Sequence, residues 1–458
     1  MRITNSMMAD QFLRDANASL NRLSQAQNVV DSTKKISGIA DDPLATLSSL
    51  KARNKLSNLA DYQDSVSTAG SYLTENENAA DSLNQVVQSV YQLMVSAGSA
   101  KTDEDKSTIA DEVSNLRDEV ISIANSTLGT NYLFSGESTK QPFSVDGSGH
   151  LIYNGIDLTK DSLGKEFSDN LTGITNDAAT TSDLITELGS VSDYDAKNTV
   201  CPKIIDQLDD MIAKANTAIQ AATKFGGVDS TTLQSLQDMV SSDSSTSLVS
   251  LKESLESEVS KDLDTGAGEA NPFSTSTCQT ILSNFSTQAS DLTSALGVLN
   301  ASGGALDISD IETALSEEAG NVKELRIGST QSIQVSANGL ELLGTGTSNI
   351  YCMLDKCVNI LNGNLDSSLL SEMPAELQTA QSNVLSLETK IGTLQNRISM
   401  ISDRYTSTKS TYTEMKSDAE DADMAEAIVN LTSAKTVYDA ALAAGSKIVQ
   451  TSLVDFLK

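Results

Sequence analysis

Two heptad repeats, one towards each end of the 458-residue chain, restrict its fold more than any other feature. In the first, Val66, Leu73, Ala80, Val87 and Met94 fall every seven residues. Tyr62, Ala69, Leu83 and Val90 take the companion position, with polar Asn76 among them. In the second, Leu377, Val384, Ile391, Ile398, Tyr405 and Tyr412 keep the same interval. Ala380, Leu387, Leu394, Ile401, Thr408 and Met415 fill its other seam position. An apolar period of seven held over several cycles means a long helix packed lengthwise on a partner helix. Val66, Leu73, Val87, Leu387, Ile391, Leu394 and Ile398 are therefore the expected core of that packing.

Each repeat is flanked outward by a further amphipathic helix. Over 5–36, Leu13, Ala16, Leu20, Leu23 and Val30 recur at steps of three and four, with Gln27 on the missing rung and Thr4 or Asn5 as the cap. The pattern stops at Gly38. Asp41-Asp42-Pro43 then opens the next helix, an Asp cap followed by Pro at the first helical position, which runs from Leu44 to about Ala97. A third helix is expected over 103–128, on Ile109, Val113, Leu116, Val120 and Ile123. At the other end, an acidic stretch from Asp418 to Asp423 closes the heptads. A last stripe, Ile428, Leu431, Tyr438, Leu442, Val449, Leu453 and Phe456, runs almost to Lys458. Chain ends fray unless something holds them, and neither terminal helix is dependable alone in water. The two ends are expected to hold one another, with neighbouring copies completing their cover. Leu13, Leu20, Leu23, Val30, Ile428, Leu431, Leu442, Val449, Leu453 and Phe456 are the candidate assembly residues.

The rhythm changes between these arms. FSV and LIY around DGSGH, followed by Asn154-Gly155, predict a β-hairpin within 130–158, and SIQVS and LELLG around Asn338-Gly339 predict a second strand pair. From about 160 to 325 the chain is rich in Ser, Thr and Asp and broken by Gly. It still carries helical runs such as KIIDQLDDMIAKANTAI, so a separate, mostly helical domain is expected there.

Composition narrows the function classes. Hydrophobic residues make up 39% and aromatics 4%, with no Trp, which suits long helices with narrow apolar stripes better than an enzyme enclosing a pocket. A net charge of −31 opposes binding to nucleic-acid phosphates. Residues 1–40 carry a net +2 and residues 428–458 a net +1, leaving −34 between them. The ends can crowd together while the middle stays solvated. His150 is the single histidine, and Cys201, Cys278, Cys352 and Cys357 have neither metal-site spacing nor a disulfide-framework pattern. Capping explains Asp41-Asp42 without a catalytic carboxylate pair. The Asp418–Asp423 run reads as a solvated face rather than a metal site. Tyr405 and Tyr412 read as core fillers. No catalytic, cofactor or metal residue is assigned. The start, MRITNSMMADQF, lacks a basic patch followed by an apolar run, so no cleaved signal peptide is expected, and no 18-residue apolar stretch is present to span a membrane.

The block LSQAQNVVDSTKKISGIADDP resembles the N-terminal signature of flagellins, where a helix ends at a Lys/Arg-Ile-x-x-(Pro/Ala)-x-Asp-Asp-Pro turn. DAEDADMAEAIVNLTSAKTVYDAALAAGSKIVQTSLVDFLK resembles the flagellin C-terminal region nearly throughout. Within that superfamily, MRITNSMM, TNYLFSG with QPF and YNG, IGSTQSIQVSANGLELLGTG and NIYCMLDKCVNIL resemble the hook–filament junction group, the hook-associated protein 3 family. The likeness covers about 1–158 and 327–458, and the region between looks like an insertion relative to the compact members of the family. The N-terminal block departs from the family pattern at Ser32-Thr33 and Gly38-Ile39, where the family often has Ser-Gly and Arg-Pro.

The resemblance implies a mainly α fold, with paired N- and C-terminal helices in a coiled-coil bundle, a β-hairpin region and an inserted, mostly helical central domain. It divides the chain into an N-terminal inner core helix (1–40), N-terminal outer core helices (41–130) and a β-hairpin region (131–160). A variable inserted domain (161–326), a β-hairpin and return helix (327–370), a C-terminal outer core helix (371–425) and a C-terminal inner core helix (426–458) follow. It also implies export through the flagellar type III channel, without a cleaved signal, guided by a cytoplasmic chaperone on the C-terminal helix. The implied partners are hook-associated protein 1, flagellin and copies of the chain itself in a ring layer, with neither nucleic acid nor membrane insertion. Three readings stand on the sequence: a junction protein, a filament-forming flagellin, and an unrelated coiled-coil enzyme or binding module with a ligand pocket in 160–325.

Overall fold

The computed structural model describes residues 5–36, 38–99, 102–242, 244–263, 272–365 and 367–456, with side chains of the last helix followed as far as Ser446. In chain order the helices and strands are α1 (Asn5–Ser32), α2 (Pro43–Ala97), α3 (Asp103–Ala124), β1 (Thr127–Leu128), β2 (Asn131–Tyr132), β3 (Phe143–Val145), β4 (Leu151–Tyr153), β5 (Ile156–Asp157) and α4 (Leu158–Leu188). A single turn, α5 (Asp193–Asp195), leads through a π-helical turn into α6 (Cys201–Phe225). After it come α7 (Ser230–Val240), α8 (Leu248–Ser260), α9 (Thr275–Asn300), α10 (Ser309–Ala319), β6 (Glu324–Arg326) and β7 (Ser332–Gln334). The chain closes with α11 (Gly339–Leu343), α12 (Ile350–Leu361), α13 (Met373–Glu420) and α14 (Met424–Phe456). It is mainly α.

Local chemistry sets several boundaries. Asp42 Oδ1 accepts from the backbone N–H of Leu44 and of Ala45, each at 3.0 Å, so Asp42 caps α2 and Pro43 takes the first helical position. Helix α1 ends at Ser32 rather than 36, because Thr33 turns left-handed at φ 59. Helix α3 ends at Ala124 rather than 128. There the Asn125 side chain accepts from Phe143 N at 3.1 Å and donates to Phe143 O at 3.0 Å, pinning the exit to β3. Strands β3, β4 and β5 form one antiparallel sheet, with Phe143↔Tyr153 and Tyr153↔Ile156 in register. Asn154 and Gly155, at φ 48 and 93, make the tight β4–β5 turn that Asn-Gly favours.

The strand pairing expected across Asn338-Gly339 does not form. β7 pairs with β6 instead, and Leu340–Leu343 lie in the helix α11, which Gly344 ends. Two contacts decide it. Asn338 Oδ1 accepts from Leu340 N at 2.9 Å as a helix cap, and Gly339 lies so close to Phe143 and Tyr153 that a Cβ there would meet both rings.

The chain divides into two compact units. Unit 1 comprises Met1–Thr68, Arg326–Gln331 and Arg397–Lys458, and unit 2 comprises Ala69–Leu325 and Ser332–Asn396. In unit 1, α1 and α14 pair antiparallel, and the Tyr62 and Tyr405 rings stack at 6.1 Å. The Tyr405 hydroxyl donates to Ile327 O, which holds the Arg326–Gln331 loop.

In unit 2, α2 and α13 run antiparallel, marked by Gln395 to Glu77 at 2.6 Å, Gln381 to Asn84 at 3.1 Å and Gln378 to Tyr91 at 3.2 Å. Leu73, Val87, Leu387 and Ile391 are buried along this stretch. The polar heptad residue Asn76 is fully buried. Its amide donates to Tyr72 O at 2.7 Å and Val335 O at 3.2 Å, and its Oδ1 receives Ala337 N at 3.4 Å. It satisfies a strand end that a Leu would leave unpaired. Helices α4, α6 and α9, flanked by α7 and α8, enclose a continuous core that includes Phe167, Leu208, Met211, Phe285 and Leu292. Lys356 of α12 bridges Glu166 of α4 at 3.2 Å and Glu376 of α13 at 3.3 Å.

Candidate assembly surface

The α1–α14 seam is thin. On α1, Phe12, Ala16, Ser19, Leu23, Ala26 and Val30 are half-buried. Ala427, Leu431, Ala434, Tyr438, Ala441 and Gly445 are the covered positions on α14. Both sets advance by three and four, as a lengthwise helix pair requires. Gly445 is the closest approach: a Cβ built on it would clash with the Phe12 ring, 2.0 Å from its nearest atom. The small residues of α14 let the two backbones come together, and that same choice leaves little apolar area inside the seam.

The larger apolar side chains point elsewhere. Leu13 is 56% exposed, Leu20 44% and Leu442 44%, and Ile428, Val429 and Val437 are at least half exposed. The sequence-based assembly residues thus fall into two groups. Leu23, Val30 and Leu431 lie half-buried on the covered faces, whereas Leu13, Leu20, Ile428 and Leu442 are exposed. The side chains of Val449, Leu453 and Phe456 lie outside the described residues. Among the packing residues, Val66, Leu73, Val87, Leu387, Ile391 and Ile398 are buried and Leu394 is half-buried. Unit 1 also exposes Ile39, Leu44, Leu47 and Leu50, four apolar side chains that sequence reasoning did not single out. Their spacing of three to five residues across the Asp-Asp-Pro turn was the available signal.

A joint fastens the outer end of the pair. Lys34 forms an antiparallel bridge with Asp421, Lys35 N donates to Glu420 O at 2.8 Å, and Ala422 N donates to Thr33 O at 3.1 Å. The Glu420 side chain is buried. Its carboxylate accepts from the Ser49 hydroxyl and from Arg53 Nε, receives Arg53 Nη2 at 2.6 Å and lies 3.1 Å from Lys34 Nζ. The Arg53 guanidinium, with Ser49 and Lys34 in support, draws its pKa down from 4.5 to about 2. This corrects the reading of Asp418–Asp423 as a uniformly solvated face. Charge density alone could not reveal that one carboxylate of the run meets two cations brought from α1–α2.

A cavity of about 580 Å³ in unit 2 is lined by Arg117, Glu166, Tyr351, Cys352, Asp355 and Lys356, among others. Its charges are largely paired with one another: Arg117 to Asp355 at 2.8 Å, and Lys356 to Glu166. Among the described residues no group of three or more His, Cys, Asp or Glu is placed to hold a metal ion, and no helix is long and apolar enough to cross a membrane.

Two family descriptions match the ends of the chain. The bacterial flagellin N-terminal helical region matches residues 3–139, and the bacterial flagellin C-terminal helical region matches residues 375–457. A flagellin of Clostridium tyrobutyricum is 30% identical over 128 residues, 28% of this chain and 34% of the relative. Flagellar hook-associated protein 3 of Salmonella typhimurium is 24% identical over 153 residues, 33% of this chain and 48% of the relative. The Escherichia coli protein of the same name is 24% identical over 149 residues, 32% and 47% respectively. The chain thus spans about a third to a half of the length of the curated relatives it matches.

Proposed function

Because this chain belongs to the flagellin superfamily, we propose that it is a structural subunit of the bacterial flagellum, joining the hook to the flagellin filament. In this reading it docks on hook-associated protein 1, forms one layer with copies of itself and presents a surface to the first flagellin subunits. It reaches that position unfolded, through the flagellar export channel without a cleaved signal peptide, with a cytoplasmic chaperone on its C-terminal helix. Its role is structural rather than enzymatic.

The observation that carries the proposal is the division of labour in unit 1. Its terminal helices meet through small residues and turn Leu13, Leu20, Ile428, Val429, Val437 and Leu442 outward. Large apolar side chains left uncovered along paired helices are stabilised when neighbouring subunits cover them. The net charge of −34 between the ends opposes sideways sticking once the layer has formed. The likeness to hook-associated protein 3 from two species supports the junction assignment. The 30% identity to a flagellin supports a second reading, a filament-forming subunit.

The test adds the full-length chain to isolated hooks that carry hook-associated protein 1, with electron microscopy as the readout. One new layer is expected, and chains lacking 1–36 or 429–458 should remain soluble yet fail to add it. Long filaments grown from the chain alone at high salt would replace the junction reading with the filament one.

A further inference from the structure

The cavity of about 580 Å³ within unit 2 is of the size that small ligands occupy, roughly 300–1,000 Å³. Helices α3, α4, α6 and α12 and the turn between β3 and β4 supply its lining. Of these, α3 lies inside the flagellin N-terminal match, whereas α4, α6 and α12 lie outside both matched regions. The cavity therefore needs residues that the matched helical regions do not supply.

Its lining is apolar where it is buried and charged where it is exposed. Leu163, Ala221 and Met353 are buried, and half-buried Ile121 adds to that apolar surface. Asp118 and Lys224 line the same cavity and are exposed. Two groups of charges differ in what they have left over. Lys356 is held between Glu166 at 3.2 Å and Glu376 at 3.3 Å, a group closed on itself. Arg117 commits Nη1 to Asp355 at 2.8 Å. Its Nη2 reaches Asp118 and Ser114 only at 3.4 Å, and its buried Nε has no hydrogen-bond partner among the described residues. Lys224 Nζ reaches Asp355 at 3.4 Å, and Asp355 also accepts from Asn359 at 3.0 Å. Donors on Arg117 and Lys224 thus remain weakly used beside an exposed carboxylate, Asp118, while Asp355 is filled. A buried donor without an acceptor is costly, so an acceptor brought to Arg117 is favoured.

We propose that this cavity binds a zwitterionic α-amino acid with an apolar side chain. The ligand's carboxylate accepts from Arg117 and Lys224, its ammonium donates to Asp118, and its side chain lies against Leu163, Ala221 and Met353. Arg117, Lys224, Asp118 and Asp355 sum to zero charge, so an ion of one sign gains no net attraction from them. A ligand carrying both signs side by side makes charge-assisted bonds to each, and burial of its side chain adds apolar stabilisation. Such binding is independent of whether the chain joins hook to filament.

The experiment is equilibrium dialysis of the full-length chain against labelled L-leucine, L-methionine and L-phenylalanine. L-Leucine is expected to bind saturably, one per chain, and to raise the thermal midpoint. Glycine lacks the apolar side chain, 4-methylpentanoate the ammonium and 3-methylbutylamine the carboxylate. Each should displace L-leucine only at concentrations at least about tenfold higher. Lys224→Met and Asp118→Asn, both at exposed positions, should each weaken L-leucine binding about tenfold and leave the melting of the unliganded chain unchanged. Absence of saturable binding of all three amino acids up to about 10 mM would overturn the proposal. So would L-leucine binding that both variants retain in full, or displacement by 4-methylpentanoate or 3-methylbutylamine as effective as by L-leucine itself.

Discussion

The terminal helix pair and the inserted helical region are built from similar amphipathic helices yet bury their apolar residues in opposite ways. In the insert, Leu208, Met211, Phe285 and Leu292 are completely covered by helices of the same chain. In the terminal pair, Phe12 and Leu23 are only half-covered, and Leu13 and Leu20 are exposed. A helix stripe therefore does not by itself say where its partner is. The insert closes its core within one chain, whereas the ends spend their seam on small residues and keep the large ones for another surface.

The sharpest contrast is in stability. Leu292→Ala should destabilise the insert by about 3 kcal/mol, measured by urea denaturation, because it empties a fully buried site. The terminal pair should depend instead on its polar joint. Glu420→Ala is expected to cost unit 1 about 2 kcal/mol, since it removes charge-assisted bonds and strands the buried Ser49 hydroxyl. Because the folded-state pKa of Glu420 is lowered from 4.5 to about 2, its contribution is whole above pH 4.5 and is lost as the pH falls through 2. The gap between wild type and Glu420→Ala should accordingly close over that interval, and a gap that stays constant down to pH 2 would contradict the assigned role.

Smaller effects test the seam. Thr33 is a β-branched residue held at φ 59, at a position where the resembled family often has Gly. Thr33→Gly should stabilise unit 1 by about 1 kcal/mol, relief of the backbone strain outweighing the entropy of the added Gly. The pair Leu20→Asp with Leu442→Asp should change monomer stability by less than about 1 kcal/mol, because both side chains are already exposed. The same pair should abolish addition to hooks in the layer assay. Loss of monomer stability comparable to Leu292→Ala would mean that these leucines are covered within the chain and would erase the contrast with the insert.

Much of this was legible in the sequence because it depends on neighbours along the chain. The heptads located α2 and α13, Asp42-Pro43 located the start of α2, and Asn154-Gly155 located a tight turn. Periodicity, capping and left-handed turn residues act over a few residues, so their signals survive without the fold. Contacts between distant segments decided the rest. Gly445 against Phe12 selected which face of α1 is covered, and residues 335–337 explain a polar Asn76 inside an apolar repeat. Arg53 and Lys34 turned one carboxylate of an acidic run into a buried joint, and the Phe143 and Tyr153 rings lie against the start of α11. By itself the sequence determined that both ends are long amphipathic helices. Only the tertiary structure decided which apolar residues those helices hide and which they leave exposed, because burial depends on the shape of a partner that periodicity does not specify.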